Sequence, residues 1–281
     1  MIIKLTALAV MVLLFTLPVS AAVDKQLLST LDLKRALFSD QYIKLKVAEQ
    51  DLLVVLNENT NAIARGVAIL LTQSNTTLTS KQGLAPLVAP LTELGWVTML
   101  VPSPETEFLT AREVLIDDSE NTLEPASVIS PVKQLTQATL DEHLEKLRLI
   151  MQAVDEKAKE YPGFVLVIAQ GTSAASLTQL YVQQSLVSPD AMVVIAPFWP
   201  DRTYNNQLAT DLANTSMPVL DLHSDRDNSW SINNIALRKV ATVRALKLQY
   251  RQRQIIGSSD MELAAPYISK EIYGWLSHMG W

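Results

Sequence analysis

The sequence has few of the residues that form disulfide bonds or bind metal ions. Its 281 residues include no cysteine, only three histidines and only eight glycines. Without cysteine the chain can form no disulfide bond, and it has no site for the lipid that anchors a bacterial lipoprotein. It also has no His-x-x-x-His motif and no Asp-rich calcium loop. We therefore expect neither a metal nor any other cofactor.

Positive charge is also in short supply. The chain has 23 Lys and Arg against 29 Asp and Glu, which gives a formal net charge of -6. The basic residues are scattered along the chain as a whole rather than gathered in one stripe. Because a phosphate backbone is bound mainly by clustered Lys and Arg, nucleic acid is not an expected partner.

Apolar residues, at 48% of the chain, are what the sequence has in quantity. That fraction predicts one large core and a single domain. The N-terminus predicts a signal peptide over residues 1–22, because one Lys precedes the apolar run Leu5–Leu17, which is followed by Pro18 and the small residues Ser20–Ala22. We expect cleavage after Ala21 or Ala22, and a soluble periplasmic domain over residues 23–281 with no membrane span.

Strand-like and helix-like segments alternate along most of the chain. The region Tyr42–Asn57 predicts an edge hairpin with its lysines facing water, and several short apolar runs then predict strands that are covered on both faces. These runs are Gly66–Thr72, Trp96–Val101, Phe164–Gln170, Ala191–Phe198, Pro218–Ser224 and Leu246–Gln252. The alternation predicts an α/β fold with a doubly wound, mostly parallel sheet and helices on both faces.

The predicted helices differ in how clearly they are marked. Thr139 with Glu142 predicts a capping box at the start of a long amphipathic helix, on which His143 is predicted to face solvent. Pro90 predicts a kinked or two-piece helix before the second buried strand. Helices are also predicted around Asn233–Leu246 and at the C-terminus, with His278 exposed, and residues 102–138 are predicted to be an irregular insertion.

The stretch FVLVIAQGTSAASL, Phe164–Leu177, is an apolar strand that turns at a glycine directly into a helix of small residues. Together with the later strand PVLDLHSDRDN, it resembles the α/β-hydrolase fold, in which this turn carries the nucleophile. The segments GVAILLTQSN, GLAPLVAPLTELGWVTMLVPSP, LQYRQRQIIG and GWL, taken in order, resemble an exported bacterial family of α/β-hydrolase-like proteins, domain of unknown function 3530. The resemblance covers about Arg65–Leu276.

Two registers of the elbow are open. In the first, Gly171 occupies the apex where the G-x-S-x-G pattern has its serine, and Thr172 follows it. In the second, Ser173 is the nucleophile, but Ala175 then stands where a glycine is expected. The first register is favoured because glycine best tolerates the strained backbone of the apex.

A serine nucleophile also needs a histidine base, which in this fold follows the last strand. That loop, Ile256–Asp260, contains no histidine. Only His223, near the end of a predicted strand, could approach the site, and Asp227 fits the position of the acid. With no catalytic residue at the apex, we expect Asp227 to serve as a turn or N-cap residue.

The strand-end loops predict where any ligand would bind. In an open α/β sheet these loops converge on one crevice, here Gln73–Asn75, Gly171–Thr172, Phe198–Trp199 and Asp225–Asp227. Trp199 is expected to be a wall or a plug of that crevice.

Three functions remain open from the sequence. The first is a catalytically inactive, exported protein that binds a small molecule or a periplasmic protein. The second is a serine hydrolase with a displaced triad of Ser173, His223 and Asp227. The third is a structural partner in an envelope assembly.

Overall fold

The structure is a computed structural model, and it describes residues 33–35, 37–38, 41–106, 108, 135–256 and 260–281. The predicted signal peptide and most of the predicted insertion lie outside these residues. The chain runs through the described residues as alternating strands and helices. The strands are β1 (Tyr42–Val47), β2 (Gln50–Asn57), β3 (Gly66–Leu71), β4 (Trp96–Val101), β5 (Phe164–Gln170), β6 (Ala191–Ile195), β7 (Val219–His223) and β8 (Tyr250–Gln254).

Six α-helices that have both ends among the described residues connect and cover these strands. They are α1 (Val88–Glu93), α2 (Gln137–Ala158), α3 (Gly171–Val182), α4 (Arg202–Asn214), α5 (Ser229–Arg244) and α6 (Met261–His278). A short 3-10 turn, Ala85–Leu87, precedes α1, so the segment around Pro90 is in two pieces as predicted.

The eight strands form one sheet in the order β1-β2-β4-β3-β5-β6-β7-β8. β1 and β2 pair antiparallel, as do β2 and β4, and every other pair is parallel. The predicted edge hairpin and mostly parallel sheet are confirmed. Lys44 and Lys46 are exposed on the edge strand, where charge opposes pairing with another chain.

Successive residues of the central strands face two separate cores, because side chains alternate across a sheet. Val67, Ile69 and Leu71 of β3 pack under α2, α3 and α4, whereas Ala68 and Leu70 pack under α1 and α6. Both faces of β3 are therefore dry, which explains its continuous apolar sequence.

Several predicted boundaries were wrong. Helix α2 is capped by Thr136, whose side chain forms the capping box with Thr139 rather than Thr139 with Glu142. Helix α5 begins at Ser229 after the N-cap Asn228, well before the predicted start. β8 begins at Tyr250, and the apolar residues Leu246 and Leu248 are exposed instead of lying in the sheet.

Candidate functional site

The elbow is formed where the central strand meets helix α3. β5 ends at Gln170 and α3 begins at the next residue, Gly171, with no connecting loop. Gly171 has a φ of +59°, in the left-handed region that glycine occupies at little cost. Its carbonyl oxygen accepts a hydrogen bond of 3.4 Å from the backbone N–H of Phe198, which follows β6. The residue at this turn has no side chain and can supply no nucleophile.

Gln73 fills the space that a side chain at position 171 would need. A Cβ built on Gly171 would lie 2.3 Å from Oε1, 2.7 Å from Cδ and 3.0 Å from Cγ of Gln73. Gln73 is held there because it follows β3, the strand that pairs with β5. A nucleophile could occupy the elbow only if the Gln73 carboxamide moved.

Ser173, the alternative nucleophile, is fully buried in the first turn of α3. Its hydroxyl donates to Oγ of Ser103 at 2.8 Å, and Oγ of Ser103 also lies 3.1 Å from Oγ of Ser74. These three hydroxyls join α3 to the loops that follow β3 and β4. The arrangement uses the Ser173 proton in a structural hydrogen bond.

The polar lining of the elbow is only partly satisfied. Asn75 clamps the loop after β4, donating to the Thr106 carbonyl at 2.9 Å and accepting from the Thr106 N–H at 3.1 Å. By contrast, side-chain oxygens of Thr72, Gln170 and Thr172 are buried without a hydrogen-bond partner among the described residues. Such atoms are suited to an ordered water molecule or a small polar group.

Trp199 is part of the core rather than the wall of an open crevice. Only 1% of its surface is exposed, and its ring lies 6.1 Å from the Phe108 ring. Its backbone N–H donates to Oδ1 of Asn205 at 3.0 Å, which fixes the loop against α4. The indole therefore fills space under α2 and α3.

The remaining triad candidates are not joined to the elbow. His223 ends β7, two strands away from β5, and burial lowers the pKa of its half-buried imidazole. Asp227 accepts a 2.7 Å hydrogen bond from the Ser224 N–H, and burial raises the pKa of its carboxyl. Within the described residues no hydrogen bond links the His223 ring to Ser173 or to Asp227.

His143 was predicted to be exposed, and that prediction was wrong. Its side chain is buried between α2 and α3, and Nε2 lies 3.1 Å from Oγ of Ser176. The Ser176 hydroxyl donates to the Thr172 carbonyl at 2.8 Å, so the imidazole donates to Ser176. Burial lowers the pKa of His143 to about 4. The imidazole is therefore neutral, and a histidine that sequence analysis assigned to solvent packs one helical turn from the elbow.

A second buried polar cluster lies between β7, β8 and α5. Asp221 and Arg238 are both fully buried, with Arg238 Nε 2.7 Å from Asp221 Oδ2. The same carboxylate accepts from the hydroxyl of Tyr250 at 2.5 Å and from Nε2 of Gln252 at 3.0 Å. Sequence analysis missed this cluster, although an aspartate in the middle of the apolar strand β7 is a signal that could have found it.

An open groove lies on the other face of the sheet, away from the elbow. It has a volume of about 370 Å³ and is lined by Pro86 and Pro90 on one side and by Ala265 and Pro266 on the other. A 2.9 Å salt bridge between Lys81 and Glu262 crosses its rim.

The described residues hold no candidate membrane span and no candidate metal site. None of the helices there has both the length and the apolar character that crossing a bilayer requires. Within the same residues, no three His, Cys, Asp or Glu side chains are grouped so as to hold a metal ion.

The strand order, the elbow and the two helical layers define an α/β-hydrolase-like fold. The chain belongs to the DUF3530 family, a family of proteins of unknown function, whose model matches residues 16–278. The predicted fold class and the resemblance to this family are thus confirmed. Among proteins with curated descriptions, none matches this sequence.

Solved structures of esterases and related hydrolases are similar to this chain in fold. Est1E from Butyrivibrio proteoclasticus has a TM-score of 0.57 at 12% identity, covering 84% of this chain and 99% of its own. XC6422 from Xanthomonas campestris, an α/β serine hydrolase without a lid, has a TM-score of 0.55 at 11% identity, covering 85% and 94%. Dienelactone hydrolase from Anabaena variabilis has a TM-score of 0.54 at 14% identity, covering 84% and 96%. At these identities the likeness shows the fold alone.

Proposed function

We propose that this protein is an exported, catalytically inactive α/β-hydrolase-fold protein that acts by binding. The observation that carries the proposal is the Gln73 carboxamide, which occupies the position of a side chain at Gly171. A glycine apex removes the nucleophile, and Gln73 fills the space that a side chain at this position would need. Export rests on the N-terminal pattern, and N-terminal sequencing of the purified protein should read Ala22 or Val23 as the first residue.

The packing of the elbow supports an envelope partner over a small ligand in the crevice. Gln73 and Trp199 both occupy space there, and Trp199 is almost completely buried. A ligand of drug-like size needs a concave site of at least about 300 Å³. Binding through the outer surface therefore requires less rearrangement than binding at the elbow, and the fold then serves as a scaffold for that surface.

The displaced triad has little geometric support. Ser173 is buried and donates to Ser103, so its hydroxyl is neither exposed to substrate nor hydrogen-bonded to a base. Asp227 is engaged by the Ser224 N–H. An attack by Ser173 would require this hydroxyl network and the His223 side chain to rearrange together.

The test is a direct assay of serine-hydrolase chemistry. The purified protein should not be labelled by a fluorophosphonate probe and should not hydrolyse short acyl esters faster than a heat-denatured sample. Gly171→Ser should not restore activity, because the general base that it would need commonly contributes about 10²-fold to 10⁴-fold in rate.

Gly171→Ser combined with Gln73→Ala separates the blocked space from the missing base. It should remain inactive although the space beside the elbow is then open. An active esterase serves as the positive control. Labelling that disappears in Ser173→Ala and weakens in His223→Ala would instead establish the displaced triad.

A further inference from the structure

Helix α5 is built with its polar face turned inward. Ser231, Asn234, Arg238 and Thr242 recur at helical spacing and are buried. Asn234 donates to the backbone oxygen of Asn205, and Arg238 binds Asp221 as described above. The inner face of α5 is thus held by hydrogen bonds and an ion pair rather than by apolar packing.

The opposite face of α5 is apolar and exposed. We define the α5 apolar face as Trp230, Leu237, Val240 and Val243 on the helix, together with Leu246 and Leu248 in the turn that follows. Val243 is 67% exposed, Leu246 79% and Leu248 94%. This is the reverse of an ordinary surface helix, which buries its apolar stripe and exposes its polar one. Several large apolar side chains exposed on one side of a helix indicate an interaction surface.

The charge around this face is basic and unbalanced. The chain as a whole has a net charge of -6, yet the segment from Asn228 to Gln254 contains no Asp or Glu. Its basic residues are Arg238, Lys239, Arg244, Lys247, Arg251 and Arg253. This local imbalance is not visible when the basic residues are considered over the whole chain.

Not all of these cations are available to a partner. Arg238 is buried against Asp221, and Lys247 donates to the carbonyls of Thr215 and Met217. Lys239 and Arg244 are exposed on α5. Among the residues that the structure describes, neither forms a salt bridge. Lys239 precedes Val243 by four residues and Arg244 follows Val240 by four, so each cation lies beside an exposed aliphatic side chain.

We propose that the α5 apolar face docks this protein onto the surface of a bilayer that contains anionic lipid. Helices that lie in a membrane interface combine Leu, Val and Trp on one face with Lys and Arg whose stems reach the headgroups. Trp230 in the first turn fits the preference of tryptophan for that interface. The helix has 16 residues and is thus about 24 Å long, which gives a row of contacts parallel to a membrane plane.

A bilayer fits this face better than a protein partner. The face is a row of exposed aliphatic side chains flanked by the exposed Lys239, whereas the core of a protein interface is depleted of Lys. Attraction to an anionic surface also needs no specific geometry, only unpaired cations close to the headgroups. The inference names a partner for the proposed binding role and rests on it, but it does not depend on the chemistry of the elbow.

The experiment is vesicle co-sedimentation of the mature protein. Vesicles of phosphatidylcholine with about 30 mol% phosphatidylglycerol are compared with phosphatidylcholine alone, at low and at roughly 0.5 M salt. We expect binding to the anionic vesicles at least about tenfold stronger than to the neutral ones, and weakened by salt.

Variants locate the binding surface. Lys239→Glu with Arg244→Glu should weaken binding by at least about tenfold, and Val240→Ser with Val243→Ser should weaken it without changing its salt dependence. The matched control is Lys44→Glu with Lys46→Glu, which makes the same change of charge on exposed strand β1 and should bind as the unaltered protein does. Circular dichroism checks that each variant is folded.

Several outcomes would overturn the proposal. They are equal or no binding to the two kinds of vesicle, or equal losses in the α5 and β1 variants. Capture of an acidic protein by this face, without vesicle binding, would assign it to a protein partner. Ester hydrolysis would refute the proposed inactivity while leaving the lipid result standing, so the two proposals can fail separately.

Discussion

The elbow and helix α5 cover the same face of the sheet, yet they place polar and apolar side chains in opposite ways. At the elbow, the position that carries the nucleophile in the α/β-hydrolase fold is a glycine here, and the Gln73 side chain fills the space beside it. At α5, apolar side chains that helices normally bury are exposed to water, and four polar ones are buried. Side chains thus fill the elbow, whereas α5 leaves apolar side chains exposed.

The comparison separates what stability requires from what it does not. Filling the space beside Gly171 removes a void and is compatible with a well-packed core. Exposing Val243 and Leu248 gains nothing in folding, since apolar surface in water is unfavourable. The packing of the closed region is therefore explained by stability alone, whereas the exposed side chains of α5 are the ones for which we propose a contact.

The largest effect is expected at the buried ion pair that holds α5. Arg238→Ala would leave the buried Asp221 carboxylate without its cation, and we expect the free energy of unfolding to fall by about 3–5 kcal/mol. Urea denaturation measures it. If the loss were below about 1 kcal/mol, the polar inner face would not be what fixes α5.

Arg244→Ala is the matched control, because it removes an exposed arginine from the same helix and should change stability by less than about 0.5 kcal/mol. Replacing both partners, as Asp221→Leu with Arg238→Met, should cost less than Arg238→Ala alone.

The architecture was predictable from the sequence because its signals are local and strong. Continuous apolar runs of strand length such as Gly66–Leu71 favour strands covered on both faces, and Gly171 at the junction of β5 and α3 marks the sharp turn. The wrong predictions concern segments whose residues fit more than one type of secondary structure. Leu246 and Leu248 alternate with polar residues like a strand, but they belong to an exposed turn.

The details of the site were less predictable, because they depend on contacts between distant segments. Nothing in the local pattern indicates that Gln73 reaches Gly171, since the two are joined only by the pairing of β3 with β5. His143 was misplaced for a different reason. Its position between Leu140 and Leu147 lies on the apolar stripe of the helix. The prediction nevertheless placed it in solvent because histidine is a polar residue type.

The second effect is a dependence on pH that belongs to the elbow side of the comparison. Burial lowers the pKa of His143 from 6.5 to about 4. Below pH 6.5 the His143 side chain therefore binds a proton in the unfolded chain but not in the folded protein. The stability that is present above that pH is lost as the pH falls toward 4. This single group should cost about 2 kcal/mol at pH 5.

Other groups titrate in the same pH range, so the effect of His143 is measured as a difference in stability between two proteins. Burial raises the pKa of Asp155 to about 7. The contribution of that group to the stability of the protein is therefore lost as the pH rises, which is the opposite direction. Comparing the unaltered protein with His143→Gln at pH 7.5 and pH 5 cancels Asp155, and the stability gap should move by about 2 kcal/mol in favour of the variant at pH 5. His278→Gln, on an exposed face, is the control. A gap independent of pH would mean that the buried site accepts the proton.

The smallest effect tests how tightly the elbow is closed. Gly171→Ala adds a Cβ at a φ of +59°, which costs about 1–2 kcal/mol of backbone strain, and it also forces the Gln73 side chain to move. A Gln73→Ala background removes the three nearest contacts of the added Cβ, so a double-mutant cycle by urea denaturation should show a smaller but non-zero cost from the backbone strain.

Gly274→Ala provides the contrast, because that glycine lies in α6 with no atom within 4 Å of an added Cβ. It should therefore stabilise the protein by about 0.5–1 kcal/mol. If Gly171→Ala lowered the free energy of unfolding by the same amount with and without the Gln73 side chain, the carboxamide would move aside at no cost. The elbow would then be open to a ligand, and the contrast between a closed elbow and an exposed α5 would no longer hold.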